Sequence, residues 1–280
     1  MQTIKTGLNS IIIGIVTYFW ASIYWMDGVS SWQTEQYLQP WVHRPLVPWL
    51  INILEWLGIP ENIATVSVVT LSGVGLYLAM LALVRATNNT VLEWKVMLAV
   101  VAGLVAFHLC RSPYDLMTAL LWTLALLFIV KQNHVWFFVV LILACLNRIE
   151  TAPLLIFLYW LRFPKGKLPV IVSSVLMFAS IYILLHVGYA DVPGSTAWIS
   201  PLENLVTFWH SPLRTLLHFA VTVVILLRIV QRADYQPLYF QRAFVVLAPI
   251  FLILYLVFGQ SFETRVFWEL FPILTILTLL

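Results

Sequence analysis

Long apolar runs separated by short polar breaks recur along almost the whole chain. A helix needs about 20 apolar residues to cross the hydrocarbon core of a bilayer, and lipid-exposed spans must be helical or closed barrels. We therefore predict an all-α, polytopic transmembrane helical bundle of about 9–11 spans, forming a single transmembrane domain over residues 1–280. The predicted spans lie near 8–25, 62–84, 96–110, 114–130, 134–147, 151–161, 168–188, 213–230, 243–259 and 266–280.

The segment 45–59 is apolar but differs from the predicted spans. It is short and carries Glu55 and two prolines. Such a segment is more typical of an interfacial or re-entrant helix than of a full crossing. We place it in the first outer loop, 26–61, and the other long outer segment is 189–212.

Composition supports a lipid environment and restricts the classes of function. The chain is 62% hydrophobic and 10% charged, whereas soluble domains carry about 25% charged residues. It has no cluster of Lys and Arg, so no nucleic-acid partner is predicted. No His and Asp cluster indicates a metal, and no cofactor is expected.

The distribution of charge predicts an orientation. With the N-terminus in the cytoplasm and alternating spans, ten of the 15 Lys and Arg residues fall on the inner side. This satisfies the positive-inside rule. Ten of the 12 acidic residues then fall outside, a bias that the rule does not require and that indicates chemistry on the outer face. The compact loops and the lack of a targeting tail favour a bacterial inner membrane.

The charges on the outer side form tight groups at helix ends. Charged residues near a membrane span are costly, about 2.5–3.5 kcal/mol each at the bilayer centre. Several groups that converge on one side predict a polar cavity that opens outward. The groups are Asp27; Glu35 with His43–Arg44; Arg111 with Asp115; Arg148 with Glu150; and Glu263 and Arg265 with Glu269.

Pairs of serine and proline mark several predicted helix starts on the same side. Ser112–Pro113, Ser200–Pro201 and Ser211–Pro212 have an N-cap residue followed by proline, and Thr151-Ala-Pro153 is a looser version. The free N–H groups of a helix start favour anions such as phosphate. The arginines of the same side strengthen this prediction of an anion site; they are Arg44, Arg111, Arg148 and Arg265.

Structural roles are the alternative for some of these residues. Ser112 and Asp115 have the spacing of a capping box, and Arg265 and Glu269 have the spacing of an ion pair one helical turn apart. Arg148 and Glu150 are two residues apart and share no helix face. We therefore predict that they mark a break between two helices, with both side chains turned into the cavity.

Four stretches together resemble the GT-C superfamily of membrane glycosyltransferases, in particular GPI-mannosyltransferase-like and related bacterial proteins. The first joins an acidic loop to a proline-rich helix entry, and the third is an arginine-containing helix junction. The second and fourth each open a span with charged residues. The stretches are Trp25–Gly28 with His43–Leu50, Ser112–Leu116, Leu146–Thr151, and Glu263–Arg265 leading to Pro272.

The resemblance implies a GT-C type enzyme that takes a sugar from a polyprenyl-phosphate donor. The acceptor would be a glycan, lipid or protein on the outer side. Asp27 would be the general base in the first loop, where Glu35 is the second catalytic candidate. Arg148 and Arg265 would stabilise the leaving phosphate, and Glu150 and Asp115 would orient those arginines or the sugar hydroxyls. The remaining candidates for donor or substrate binding are Arg44, Arg111, Glu263 and Glu269.

Three other functions remain open from the sequence. A transporter or flippase would also carry charges near its spans, although transporter sites usually lie near the midplane. An outer-face polysaccharide polymerase or ligase would use similar arginines. The short loops also allow an accessory role beside another membrane subunit.

Overall fold

The computed structural model describes residues 2–25, 44–87, 91–106, 113–163, 167–191, 223, 227–231, 236–258 and 269–279. Helix accounts for 88% of these residues and none lies in a strand, which confirms the all-α prediction. The chain divides into two compact units, residues 1–196 and 197–280. The single transmembrane domain stays a prediction.

The helices begin and end close to the predicted bounds. In the first unit they are α1 (Gln2–Trp25), α2 (Leu46–Trp56), α3 (Glu61–Thr87), α4 (Glu93–Ala106), α5 (Pro113–Val130), α6 (His134–Asn147), α7 (Ala152–Arg162) and α8 (Leu168–Gly188). In the second unit they are α9 (Leu238–Phe258) and α10 (Phe271–Leu279). The predicted span 213–230 lies almost entirely outside the described residues.

Four of the described helices are long and apolar enough to cross a membrane: Lys5–Ile23, Glu61–Thr87, Pro113–Val130 and Leu168–Gly188. The short helix α2 is separate from them, as the sequence predicts. Trp49 and Trp56 on this helix are exposed, which suits a position at a membrane interface. The total number of spans stays a prediction.

Helix α3 packs most extensively against α5 and α1. Small residues bring α1 and α3 close together, as is common between membrane helices. A Cβ atom at Gly73 would lie 2.6 Å from Thr17 Oγ1, so only glycine fits there without a shift. Thr17 turns its hydroxyl to the carbonyl of Ile13 at 2.7 Å, which satisfies this buried polar group within its own helix.

A local motif ends α2 and another ends α5. After α2, Gly58 has a φ of 86° and its N–H donates to Glu55 O, while the next N–H, of Ile59, donates to Leu54 O. This is the Schellman pattern, in which a left-handed residue satisfies the last carbonyls of a helix. Gln132, with a φ of 57°, closes α5 in the same way, although glycine is the usual residue there.

Contacts in the first unit bring helix ends together at two places. The first, which we call the junction end, holds the starts of α2, α3 and α5 and the turn between α6 and α7. There Val47, Ile51, Ala64, Val68 and Tyr114 form one buried apolar cluster. The second, the Glu93 end, holds the starts of α1 and α4 and the end of α3. Helix direction thus alternates from α3 to α6, as a polytopic bundle requires.

Candidate functional site

An ion pair links two distant parts of the chain at the junction end. Arg44 precedes α2, and Glu150 lies in the turn between α6 and α7. Arg44 Nη2 is 2.8 Å from Glu150 Oε1. The Arg44 side chain is only 11% exposed, whereas that of Glu150 is 43% exposed. The guanidinium is therefore largely buried, whereas the carboxylate that pairs with it keeps part of its surface accessible.

The Arg44 guanidinium also lies over an aromatic ring. Its central carbon is 5.9 Å from the centre of the Tyr114 ring, at the start of α5. This distance is within the range of a cation–π contact, which adds to the stability of a buried cation. Tyr114 is 1% exposed, so the ring is a fixed support. The position of Arg44 is thus set from α5 as well as from the turn.

The electrostatics of Glu150 involve a second arginine. Protein atoms crowd the carboxyl although part of its surface stays accessible, and this burial by itself would raise its pKa. The positive charges of Arg44 and Arg148, with the hydrogen bond from Arg44, outweigh it and hold the pKa below the usual range. Glu150 is therefore ionised at neutral pH. A negative group that is paired with one arginine and stabilised by the charge of a second is an arrangement that suits an oxyanion.

A buried amide fixes the end of α6 against the start of α5. Asn147 is 1% exposed. Its Nδ2 donates to Thr118 Oγ1 at 2.8 Å and to Tyr114 O at 3.3 Å. Thr118 uses its own hydrogen for Tyr114 O at 2.9 Å, so both groups facing the amide are acceptors. This fixes the orientation of the Asn147 amide, with Nδ2 toward α5.

Two buried oxygens near the arginines have no hydrogen-bond donor among the described residues. They are Asn147 Oδ1 and Thr151 Oγ1. Most buried polar atoms are satisfied, and an unsatisfied one costs about 1–3 kcal/mol. The turn from Asn147 to Thr151 therefore combines one positive charge, one carboxylate and two unsatisfied oxygens within five residues of sequence.

Two prolines lie at helix starts close in sequence to Arg44 and Glu150. Pro45 occupies the N-cap position of α2 and accepts the N–H of Trp49 at 2.9 Å, so Arg44 stands just outside the helix. Pro153 lies in the first turn of α7, where its missing N–H leaves no intrahelical bond unmade. Arg148 is the C-cap residue of α6, with φ −156° and ψ 84°. The predicted helix break between Arg148 and Glu150 is confirmed.

The predicted cap at Thr151 is wrong in its side-chain role. Thr151 occupies the N-cap position of α7, but its φ of −104° and ψ of −11° are helical and its side chain makes no capping hydrogen bond. An N-cap residue normally has an extended backbone, which aims its oxygen at the first N–H groups. The other three predicted caps, at Ser112, Ser200 and Ser211, lie outside the described residues.

No protein-family model, curated protein or solved structure matches this chain. The site is therefore interpreted from its own geometry and chemistry.

The structure brings together three of the predicted site residues: Arg44, Arg148 and Glu150. Asp115 lies in the first turn of α5 next to Tyr114 and is buried, at 4% exposure. Glu269 is also buried, directly before α10 in the second unit. The remaining candidates lie outside the described residues; they are Asp27, Glu35, Arg111, Glu263 and Arg265.

Sequence reasoning missed the pairing of Arg44 with Glu150 and the role of Asn147. The sequence groups Arg44 with Glu35 and Arg148 with Glu150, because proximity along the chain was the available signal. One signal for Asn147 was present. A lone amide that ends the apolar run 134–147, directly before Arg148, is a polar group that needs buried partners.

A second polar cluster lies at the Glu93 end. Glu93, in the first turn of α4, forms an ion pair with Arg85 of α3. Its other oxygen accepts a hydrogen bond from Thr6 Oγ1 of α1 at 3.0 Å. This cluster joins three helices and contains one acidic and one basic side chain, so it fits a structural role better than a binding role.

Proposed function

We propose that the chain binds a polyprenyl-phosphate sugar at the junction end and transfers the sugar to an acceptor hydroxyl. The observation that carries the proposal is the Arg44–Glu150 ion pair, with the positive charge of Arg148 acting on the same carboxylate. Guanidinium groups that hold a carboxylate also suit a phosphate, because both ligands present paired oxygens. A lipid with a phosphate head at a helix end can keep its tail in the bilayer.

The location of the charges favours an enzyme over a transporter. In the described part of the first unit, the charged residues of the membrane-length helices lie near helix ends, as with Glu61, Arg85 and Asp115. Transporter sites usually lie near the midplane, between broken helices. A site at one end suits a reaction between a lipid-borne donor and an acceptor in water.

The proposed reaction is a displacement at the sugar carbon. The acceptor hydroxyl attacks that carbon, its proton passes to the Asp27 carboxylate, and the bond from carbon to phosphate oxygen breaks. Arg148, with Arg44, takes up the charge of the lipid phosphate that leaves. The roles of Asp27, Glu35 and Arg265 rest on the GT-C resemblance. The junction end would face the non-cytoplasmic side of a bacterial inner membrane.

The test is mass spectrometry of lipids that co-purify with the protein, followed by a transfer assay. Wild type is compared with Arg148→Ala and with Arg162→Ala, which removes an arginine at the opposite end of α7. We expect wild type and Arg162→Ala to retain polyprenyl phosphate or its sugar conjugate, and Arg148→Ala to lose it. Only bulk phospholipid in all three samples would overturn the proposal.

The transfer assay separates binding from chemistry. Asp27→Asn should abolish transfer of a labelled sugar from a polyprenyl-phosphate hexose while the variant still retains the donor lipid. Full transfer by this variant would remove Asp27 from the proposed role.

A further inference from the structure

The Glu150 carboxylate occupies the position that an anionic ligand of Arg44 would take. Arg44 is 11% exposed, and its Nη2 atom already donates to Glu150 at 2.8 Å. The Tyr114 ring lies along the same guanidinium. Of these two partners of Arg44, Tyr114 is buried and fixed, whereas the carboxylate can move, since 43% of the Glu150 side chain is exposed. A phosphate can reach this arginine by taking the place of Glu150.

We propose that Glu150 is an internal competitor for the donor phosphate, and that donor binding exchanges the Arg44–Glu150 ion pair for an Arg44–phosphate pair. The inference rests on the proposed function and specifies how that site admits its ligand. It replaces the role that the family resemblance gives to Glu150, which is to orient the arginines. An orienting residue strengthens phosphate binding, whereas a competing residue weakens it, so the two roles predict opposite effects.

Three features make the competition effective. Glu150 is charged at neutral pH, because Arg44 and Arg148 hold its pKa low despite its crowded surroundings. It lies in a turn between two helices, so its side chain can swing away without disturbing either helix. Arg148 acts on the same carboxylate, so a phosphate that replaces Glu150 meets two positive charges. A second acidic residue, Asp115, is next to Tyr114 in sequence. It belongs to α5 and not to the turn that holds Glu150.

The experiment measures binding of a polyprenyl phosphate to the full chain in nanodiscs. Wild type is compared with Glu150→Gln and with Glu55→Gln, which makes the same chemical change at an exposed residue of α2. We expect Glu150→Gln to bind about five-fold more tightly, which is the gain from removing a competing pair of this exposure. Glu55→Gln should bind like wild type. The uncharged polyprenol should bind all three proteins equally, because it does not compete for Arg44.

Unchanged or weaker phosphate binding by Glu150→Gln overturns the competitor role. Glu150→Asp, which keeps the charge but shortens the reach to Arg44, gives a second measurement if the Gln variant does not fold, and it should also bind more tightly than wild type. Failure of both variants to fold would make Glu150 a structural residue and would overturn the inference. Absence of phosphate binding by every protein, wild type included, instead overturns the proposed function.

Discussion

Arg44 and Glu150 lie 106 residues apart in sequence and form an ion pair of 2.8 Å. The pair fixes the entry to α2 against the turn between α6 and α7. It joins two short segments that lie outside the helices, so helix packing alone does not determine it. The arginine is largely buried and the carboxylate is partly exposed. A fall in pH should therefore weaken the pair by protonating Glu150.

Low pH should lower the stability of the folded protein by protonating Glu150. Because the folded state lowers the pKa of this carboxyl from its ordinary value of 4.5, its contribution to stability is complete above that value. The contribution is lost as the pH falls through the lower pKa of the folded state. The loss should be no more than about 1 kcal/mol, since solvent screens a pair of this exposure.

The measurement is the thermal unfolding temperature of wild type and Glu150→Gln between about pH 7 and pH 3. The variant lacks the titrating group, so the difference between the two proteins should shrink as the pH falls. Curves that stay parallel over the whole range would show that Glu150 does not stabilise the fold as an anion.

Asn147 should be a larger source of stability than its position at a helix end suggests. Asn147→Ala removes the donor to Thr118 and Tyr114 and should lower the free energy of unfolding by about 1–3 kcal/mol. Asn52→Ala, at an exposed position of α2, should change it by no more than about 0.5 kcal/mol. Thr118→Val completes a double-mutant cycle. Strictly additive effects of Asn147→Ala and Thr118→Val would contradict the shared hydrogen bond.

The helices were predictable because lipid leaves the chain few alternatives. A bilayer favours uninterrupted backbone hydrogen bonding, so apolar runs give the helices directly, and 134–147 and 168–188 match α6 and α8 at both ends. The apolar pattern predicts a span from 243, whereas α9 begins five residues earlier, at Leu238. Polar residues such as Gln241 and Arg242 in its first turns interrupt the apolar run from which the helix is predicted.

The site was only partly predictable, because charged residues also pair with partners that are distant in sequence. The break at Arg148 and Glu150 followed from their spacing, since residues two apart do not share a helix face. The link from Glu150 to Arg44 depends on how α2 packs against α5 and α6, and a single sequence does not contain that information. The same holds for Asn147, whose partner Thr118 lies on another helix.

The contact of α1 with α3 should depend on the absence of a side chain at Gly73. Gly73→Ala places a methyl group against Thr17, which is short and β-branched and has little room to move. We expect a loss of about 1–3 kcal/mol in the free energy of unfolding. Gly7→Ala, where nothing lies within 4 Å of the added carbon, should be neutral or stabilising. Thr17→Ala should recover part of the loss, and no recovery would show that the strain lies elsewhere.

Substitutions at the two ends of the first unit should have different effects. Those at the Glu93 end should change stability, and those at the junction end should change phosphate binding. Glu93→Gln weakens the links of α4 to Arg85 and Thr6, and should lower the free energy of unfolding by about 1 kcal/mol. It should leave the affinity for polyprenyl phosphate unchanged, because Arg44 and Arg148 both lie at the junction end. Arg148→Ala should do the reverse, with a clear loss of affinity and a smaller change in stability. If Glu93→Gln weakened phosphate binding as much as Arg148→Ala, the effect of Arg148→Ala could be explained by a loosened bundle, and the assignment of the phosphate to the junction end would fail.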